Sequence, residues 1–300
     1  MLYWLRLFSF FLGTLTLSLA VLPILLGALF TIGLVYAPCS DHHLTPADYG
    51  YPGEPITIQA RAGGAFRGYF IPGTNGATII IPPAYTSGRD SRLPEAVILA
   101  RQGYAIFLFE SRRCAGMGPL SLGYFEVDEV ADVLDYLSTR ADVDPTQVGI
   151  YGFSSAGATS IMAAAEFPQI RAVVAEGGYG DFLENALGRD EARHGFSAYF
   201  LTLYRWAVRL TYRLLIGLDI EKLSPVTVID NISPRPILLI YGSREASLLG
   251  GRQQLAAAGD NAELWVVEGA GHGEYFRVAS EAYELRIVTF FNQALLQVGD

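Results

Sequence analysis

Eight short apolar runs, rich in β-branched residues, recur along this chain of 300 residues, and longer stretches with helical spacing separate most of them. Strands that alternate with helices fold as a parallel sheet covered on both faces, an α/β architecture. The strand runs are Ile56–Ala60, Arg67–Ile71, Ala77–Ile81, Ala105–Phe109, Gln147–Tyr151, Ala172–Ala175, Pro236–Tyr241 and Glu263–Val267. Helical patterns fall at Leu93–Gln102, Phe125–Ser138, Ser155–Glu166, Gly251–Ala258 and Glu274–Gln297. The first two runs suit a hairpin and the others suit crossovers, so one eight-stranded, mostly parallel sheet is expected. One insertion breaks the rhythm, from about 180 to 230. There helical material replaces a short connection and should lie above the C-terminal edge of the strands, where α/β sites form.

The start of the chain obeys a different rule. Residues 7–40 are 34 in number and carry no charge, whereas a helix needs about 20 apolar residues to span a bilayer core. A retained transmembrane anchor at 1–40 is expected, followed by a linker at 41–55 and the α/β domain at 56–300. Signal-peptide cleavage is disfavoured, because such peptides carry an apolar stretch of about 7–15 residues and Pro38 follows the only suitable small residue, Ala37. Arg6 before the segment, with Asp41 and Asp48 after it, orients the domain outside the cytoplasm. Cys39 and Cys114 lack metal or redox spacing. They could pair in an oxidising compartment, but each reads more simply as a lone small hydrophobe. A net charge of −9 excludes broad contact with nucleic acid. Asp41-His42-His43 is a weak metal signal, and no metal site is assigned.

The run VGIYGFSSAGATS, from Val148, is an apolar strand that turns at once into small, helix-compatible residues. A serine on such a turn projects above the sheet, and the residues two before and two after it must be small because the two backbones nearly touch. Ser154 meets this with Gly152 and Ala156; Ser155 would put Phe153 at a position that must be small. A serine hydroxyl needs a base, and the base needs an orienting carboxylate. Of the four histidines, His42 and His43 adjoin the anchor and His194 lies in the insertion, which leaves His272 in the glycine-rich loop VEGAGHGEYF. Glu245, just beyond PILLIYG, is the favoured carboxylate, and Asp181, after the preceding strand, is the alternative. Oxyanion donors would be the backbone N–H groups of Ser155 and Tyr85, since Pro82 and Pro83 have none.

These motifs, in this order, resemble the α/β-hydrolase superfamily from about Ile56 to Gln297. More narrowly the chain is similar to bacterial membrane-anchored hydrolases related to serine aminopeptidases, prolyl-oligopeptidase-like catalytic domains and thioesterases. FLFESRRCAGMG and LGYFEVDEVADVLDYL carry that similarity. The chain departs from the family where Pro83-Ala84 replaces His-Gly, Glu245 replaces the commoner Asp, Ala156 replaces a second Gly, and Arg113 replaces a Gly. The resemblance implies hydrolysis through an acyl-enzyme on Ser154, without a cofactor. The substrate would be a carboxylic ester, with a lipid-like ester or a peptide bond as alternatives, and a non-catalytic binding module as a further one.

The insertion, GFSAYFLTLYRWAVRLTYRLLIGL, is apolar and aromatic with Arg205, Arg209 and Arg213 on one helical stripe. It suggests contact with anionic headgroups or an acyl-chain pocket wall; the plainer reading is a lid helix whose arginines face water or pair with acidic loops. The cluster Glu126, Asp128, Glu129, Asp132 and Asp135 reads as a solvated helix face.

Overall fold

The computed structural model describes residues 2–40, 43–188 and 194–296. Eight strands, β1 (Glu54–Gln59), β2 (Ala65–Ile71), β3 (Thr78–Ile81), β4 (Ala105–Phe109), β5 (Val148–Phe153), β6 (Ile170–Glu176), β7 (Ile237–Gly242) and β8 (Ala262–Val267), form one sheet. Its order is β1-β2-β4-β3-β5-β6-β7-β8, antiparallel at β1–β2 and β2–β4 and parallel elsewhere. β1 begins inside the segment expected as linker, because Glu54 and Pro55 extend the hairpin register opposite Phe70 and Tyr69.

The helices are α1 (Leu2–Val35), α2 (Leu93–Ala100), α3 (Tyr124–Ser138), α4 (Ser155–Glu166), α5 (Phe182–Leu187), α6 (Phe196–Ile216), α7 (Leu248–Ala258) and α8 (Tyr275–Phe291). The parallel strands are apolar throughout because both of their faces are covered. Ile80, Phe107 and Leu239 enter a core shared with α3 and α4, while Ile79, Ile106 and Leu238 enter the opposite core with α2 and α8.

A third core lies over the C-terminal edge. The end of α1 packs on α6, and Val35, Val208, Tyr212 and Ile216 are buried with Leu120, Leu122 and Tyr179. The crossing is close at Gly27, where a Cβ would come within 2.5 Å of the Tyr204 carbonyl oxygen. The expected anchor is therefore not a free-standing rod, since its second half is part of the packed structure. Among the described residues no helix is long and apolar enough to cross a membrane. The side chains of Arg6 and of residues 12–18 fall outside the described set.

Two further expectations change. Cys39 and Cys114 are not lone hydrophobes; they form a disulfide. Around it the end of α1 is laced to the domain, with Ser40 N–H donating to the Thr86 carbonyl at 2.9 Å, Gly88 N–H to Ser40 at 2.7 Å and Leu120 N–H to Val35 at 2.9 Å. Arg113 donates to the Ala37 carbonyl at 2.9 Å.

The acidic cluster is a solvated face only in part: Asp135 is exposed, but two of its members are buried. Glu129 is buried against Arg112, and Asp132 is buried against Arg61, at 3.1 and 2.7 Å. Glu126 turns inward to accept the Gly123 N–H at 2.8 Å, closing the first turn of α3.

On α6 the plainer alternative describes the arginines. Arg209 pairs with Glu221 at 2.6 Å, Arg213 with Asp219 at 3.3 Å, and the buried Arg205 donates to the Gly188 carbonyl. These charges are turned to the protein's own acids and carbonyls rather than held ready for headgroups. Asp41 and His42 of the weak metal set lie outside the described residues, among which no group of three or more metal-ligand side chains occurs.

Candidate active site

β5 ends at Phe153 and α4 begins at Ser155, so one residue makes the whole reversal. That residue is Ser154, with φ 56° and ψ −124°. A side chain in this region costs about 1–3 kcal/mol and persists only where its surroundings impose it. Here the Ser154 N–H donates to the Glu176 carbonyl at 2.7 Å. A Cβ on Gly152 would overlap the Ala156 carbonyl and the Ser160 hydroxyl, and one on Gly157 would lie 3.0 Å from the Glu176 carbonyl. Close approach of β5, α4 and β6 is the physical reason for the small residues in this motif.

The loop after β8 brings His272 over the turn, with Nε2 at 3.0 Å from Ser154 Oγ and Nδ1 at 2.8 Å from Glu245 Oε2. Glu245 lies just past the end of β7, and its side chain is 2% exposed. A charge that is buried must be met by donors. Oε1 accepts the Gly242 N–H at 2.6 Å, and the Tyr275 hydroxyl reaches both oxygens at 2.9 Å. With Nδ1–H donating to this carboxylate, Nε2 is left as the acceptor facing serine. The structure thus brings together Ser154, His272 and Glu245. It does not bring in Asp181, whose carboxylate caps α5 by accepting the Glu184 N–H at 3.0 Å.

The expected oxyanion donors are altered. Ser155 is the first residue of α4, so its N–H has no partner within the helix. Tyr85 has φ 51°, and its N–H is not turned to open space: it donates to Ser155 Oγ at 2.7 Å. Its phenol donates to the Leu34 carbonyl at the end of α1, at 2.8 Å.

Several residues at the site are not among the expected ones. Tyr275 holds the carboxylate, and the Phe153 ring lies 4.8 Å from the His272 ring with the Arg92 guanidinium 3.9 Å over it. Phe153 was in view inside the elbow motif and Tyr275 inside the loop run VEGAGHGEYF, but neither run signals their roles; Arg92 belongs to no motif, and only its folded position gives it one. Gly177, just after β6, has φ +57°, and a Cβ there would meet the Tyr275 hydroxyl and lie 2.9 Å from His272 Nδ1. Gly177→Ala should lower kcat about 10²-fold by displacing the imidazole, an order of magnitude typical of a misplacement near 1 Å. Steady-state ester hydrolysis checks this, with wild-type-like kinetics as the contrary result.

Beneath the turn, Glu176 is buried and accepts the Tyr151 hydroxyl at 2.9 Å, and Tyr151 also meets the Tyr283 hydroxyl at 2.9 Å. Burial, first, and then the nearby Glu95 push its carboxyl up from 4.5 to about 8. A pKa raised on folding gives stability that is fully present below about 4.5, declines as pH rises and is exhausted above about 8. Glu176→Gln should flatten this decline, so that its melting temperature gains on wild type between pH 5 and pH 8.5. Parallel pH slopes for the two proteins would contradict the assignment.

Comparison with known proteins agrees with this architecture. Residues 77–224 match the family model for the alpha/beta hydrolase fold. An esterase of Pyrococcus furiosus, Pf2001, superposes with a TM-score of 0.69 at 20% identity, covering 87% of this chain and 100% of that one. PA2218 of Pseudomonas aeruginosa, an uncharacterized protein, is 40% identical over 70 residues, which are 23% of this chain and only 19% of that protein. Its crystal structure superposes with a TM-score of 0.63 at 18% identity, covering 82% of this chain and 94% of that one. A puromycin-hydrolyzing peptidase of Mycobacterium tuberculosis does so with a TM-score of 0.63 at 19% identity, over 84% of this chain and 41% of that one.

Proposed function

We propose that this chain, which has the alpha/beta hydrolase fold, is a serine hydrolase that cleaves carboxylic esters through an acyl-enzyme. The observation that carries this reading is the unbroken chain of contacts from Ser154 Oγ through His272 to the buried Glu245, at 3.0 and 2.8 Å.

In the acylation step His272 Nε2 takes the Ser154 hydroxyl proton as Oγ bonds to the ester carbonyl carbon. The carbonyl π pair moves onto oxygen as an oxyanion. When that pair returns, the bond to the alkoxide breaks, and the alkoxide leaves with the proton held on Nε2. Water, deprotonated by the same nitrogen, then attacks the acyl carbon and the second collapse restores the Ser154 hydroxyl. Glu245 keeps Nδ1 protonated and offsets the imidazolium charge that appears in both steps.

The chain also attaches to a membrane through α1, with the domain outside the cytoplasm. Supporting this are the 34 uncharged residues 7–40 and the large apolar side chains exposed along α1, among them Trp4, Phe8, Phe10, Leu25 and Leu29. An apolar surface of this extent is stable against lipid rather than water. The Cys39–Cys114 disulfide fits an oxidising compartment.

The test is a fluorophosphonate probe on the full chain in detergent, followed by peptide mapping. One covalent adduct on Ser154, with p-nitrophenyl esters turned over faster than the matching anilides, is the expected result. A folded chain that takes no label would instead be a binding module, and its partners rather than its substrates would need to be sought.

A further inference from the structure

The second oxyanion donor expected from the fold is engaged in an internal bond. The Tyr85 N–H donates to Ser155 Oγ at 2.7 Å, and Tyr85 has little freedom to turn away. Its φ is 51°, its phenol is bound to the Leu34 carbonyl at 2.8 Å, and the preceding loop is led by Pro82 and Pro83. On the far side, Ser40 and Ser87 pair, and the Ser40 N–H is held by the Thr86 carbonyl at 2.9 Å. The loop is therefore fixed with its donor aimed at a hydroxyl, and that hydroxyl belongs to the residue directly after the proposed nucleophile.

A hydroxyl that accepts a hydrogen bond keeps its own proton, and accepting one strengthens its capacity to donate. Ser155 is also the first residue of α4, where the helix end favours negative charge. We infer that the Ser155 hydroxyl is a catalytic oxyanion donor: its Oγ–H, polarised by the Tyr85 N–H, points to the oxygen that gains the electron pair when Ser154 attacks. The oxyanion then receives two bonds from one residue, the backbone N–H and the side-chain O–H of Ser155. Tyr85 serves as the positioning residue behind the hydroxyl rather than as a direct donor. No proton changes hands in this contact, so Ser155 neither competes with Ser154 nor exchanges with His272.

This inference rests on Ser154 as nucleophile, and its test separates the two. Wild type, Ser155→Ala and Ser155→Thr, each as the full chain in detergent, are compared for fluorophosphonate labelling, for kcat and KM with a p-nitrophenyl ester, and for inhibition by a trifluoromethyl ketone. Expected for Ser155→Ala is a fall in kcat of about 10²-fold, the scale of one lost oxyanion donor, with KM within a few-fold and ketone affinity reduced in step with kcat. Ser155→Thr, which keeps a hydroxyl, should recover most of the loss. If the hydroxyl only plugs the Tyr85 N–H until substrate displaces it, Ser155→Ala will keep or raise kcat, and the inference is overturned. Equal losses in the Ala and Thr variants would also overturn it, because they would mark a packing role. Wild type that neither labels nor turns over ester would remove the nucleophile itself, a failure distinct from labelling that is intact in all three proteins.

Discussion

Ser154→Ala will lower kcat/KM for an aryl ester by about 10⁶-fold, His272→Ala will lower it by a similar factor, and the double variant will be no worse than either single. The reason lies in the 3.0 Å contact between Nε2 and Oγ. Without the imidazole, the hydroxyl stays protonated at neutral pH and cannot attack; without the hydroxyl, the imidazole has nothing to deprotonate at the right place. Each residue is useless alone, so the losses do not multiply. Residual turnover of about 10³–10⁴ over water should survive, because substrate binding and the backbone donor at the start of α4 remain. Steady-state kinetics on the three variants, with melting curves to show that each is folded, measure this. Losses that multiplied in the double variant would show two groups acting independently.

The second large effect is at Glu245. Glu245→Gln should reduce kcat about 10⁴-fold with KM little changed, although the two side chains have nearly the same shape. Every partner of the carboxylate is a donor: the Gly242 N–H, the Tyr275 hydroxyl and His272 Nδ1. An amide offers only one acceptor oxygen. If that oxygen faces Gly242, the NH2 faces Nδ1 and forces the proton to Nε2, the wrong tautomer for accepting from Ser154. If it faces His272, the NH2 meets the Gly242 N–H at a site where the wild-type contact is only 2.6 Å. Neither orientation satisfies a buried position, so some loss of melting temperature should accompany the loss of rate. A Gln variant with wild-type kcat would mean that the carboxylate charge is not used.

What could be seen in advance, and what could not, divides by the range of the interactions. The strands and the turn at Ser154 are written locally: apolar runs for a sheet covered on both faces, and Gly152, Ala156 and Gly157 where three backbones converge. Scarcity helped with His272, since the chain has only four histidines. Glu245 and Asp181 could not be separated by position alone, because both follow strand ends; the difference is that Asp181 is used up in capping α5.

The remaining misreadings share one cause. Glu129 and Asp132 looked solvated while Arg112 and Arg61 were out of sight. The pairing of Cys39 with Cys114 spans 75 residues and needs the end of α1 to fold back first. The turn of Tyr85 toward Ser155 likewise depends on a carbonyl contributed by that helix.

The way α1 is fastened also decides how the molecule carries mechanical load. A pull on the N-terminal end of α1 would not travel into the sheet along the connecting chain to β1. It would enter through the covalent Cys39–Cys114 bridge and the Arg113 and Ser40 contacts beside it. That route bypasses the β1–β2 hairpin, the edge of the sheet that would otherwise peel strand by strand. It delivers the force to the loops after β3 and β4, at the parallel centre of the sheet. Motion of α1 would thus be felt first by Tyr85, whose phenol is tied to Leu34, and last by the hairpin.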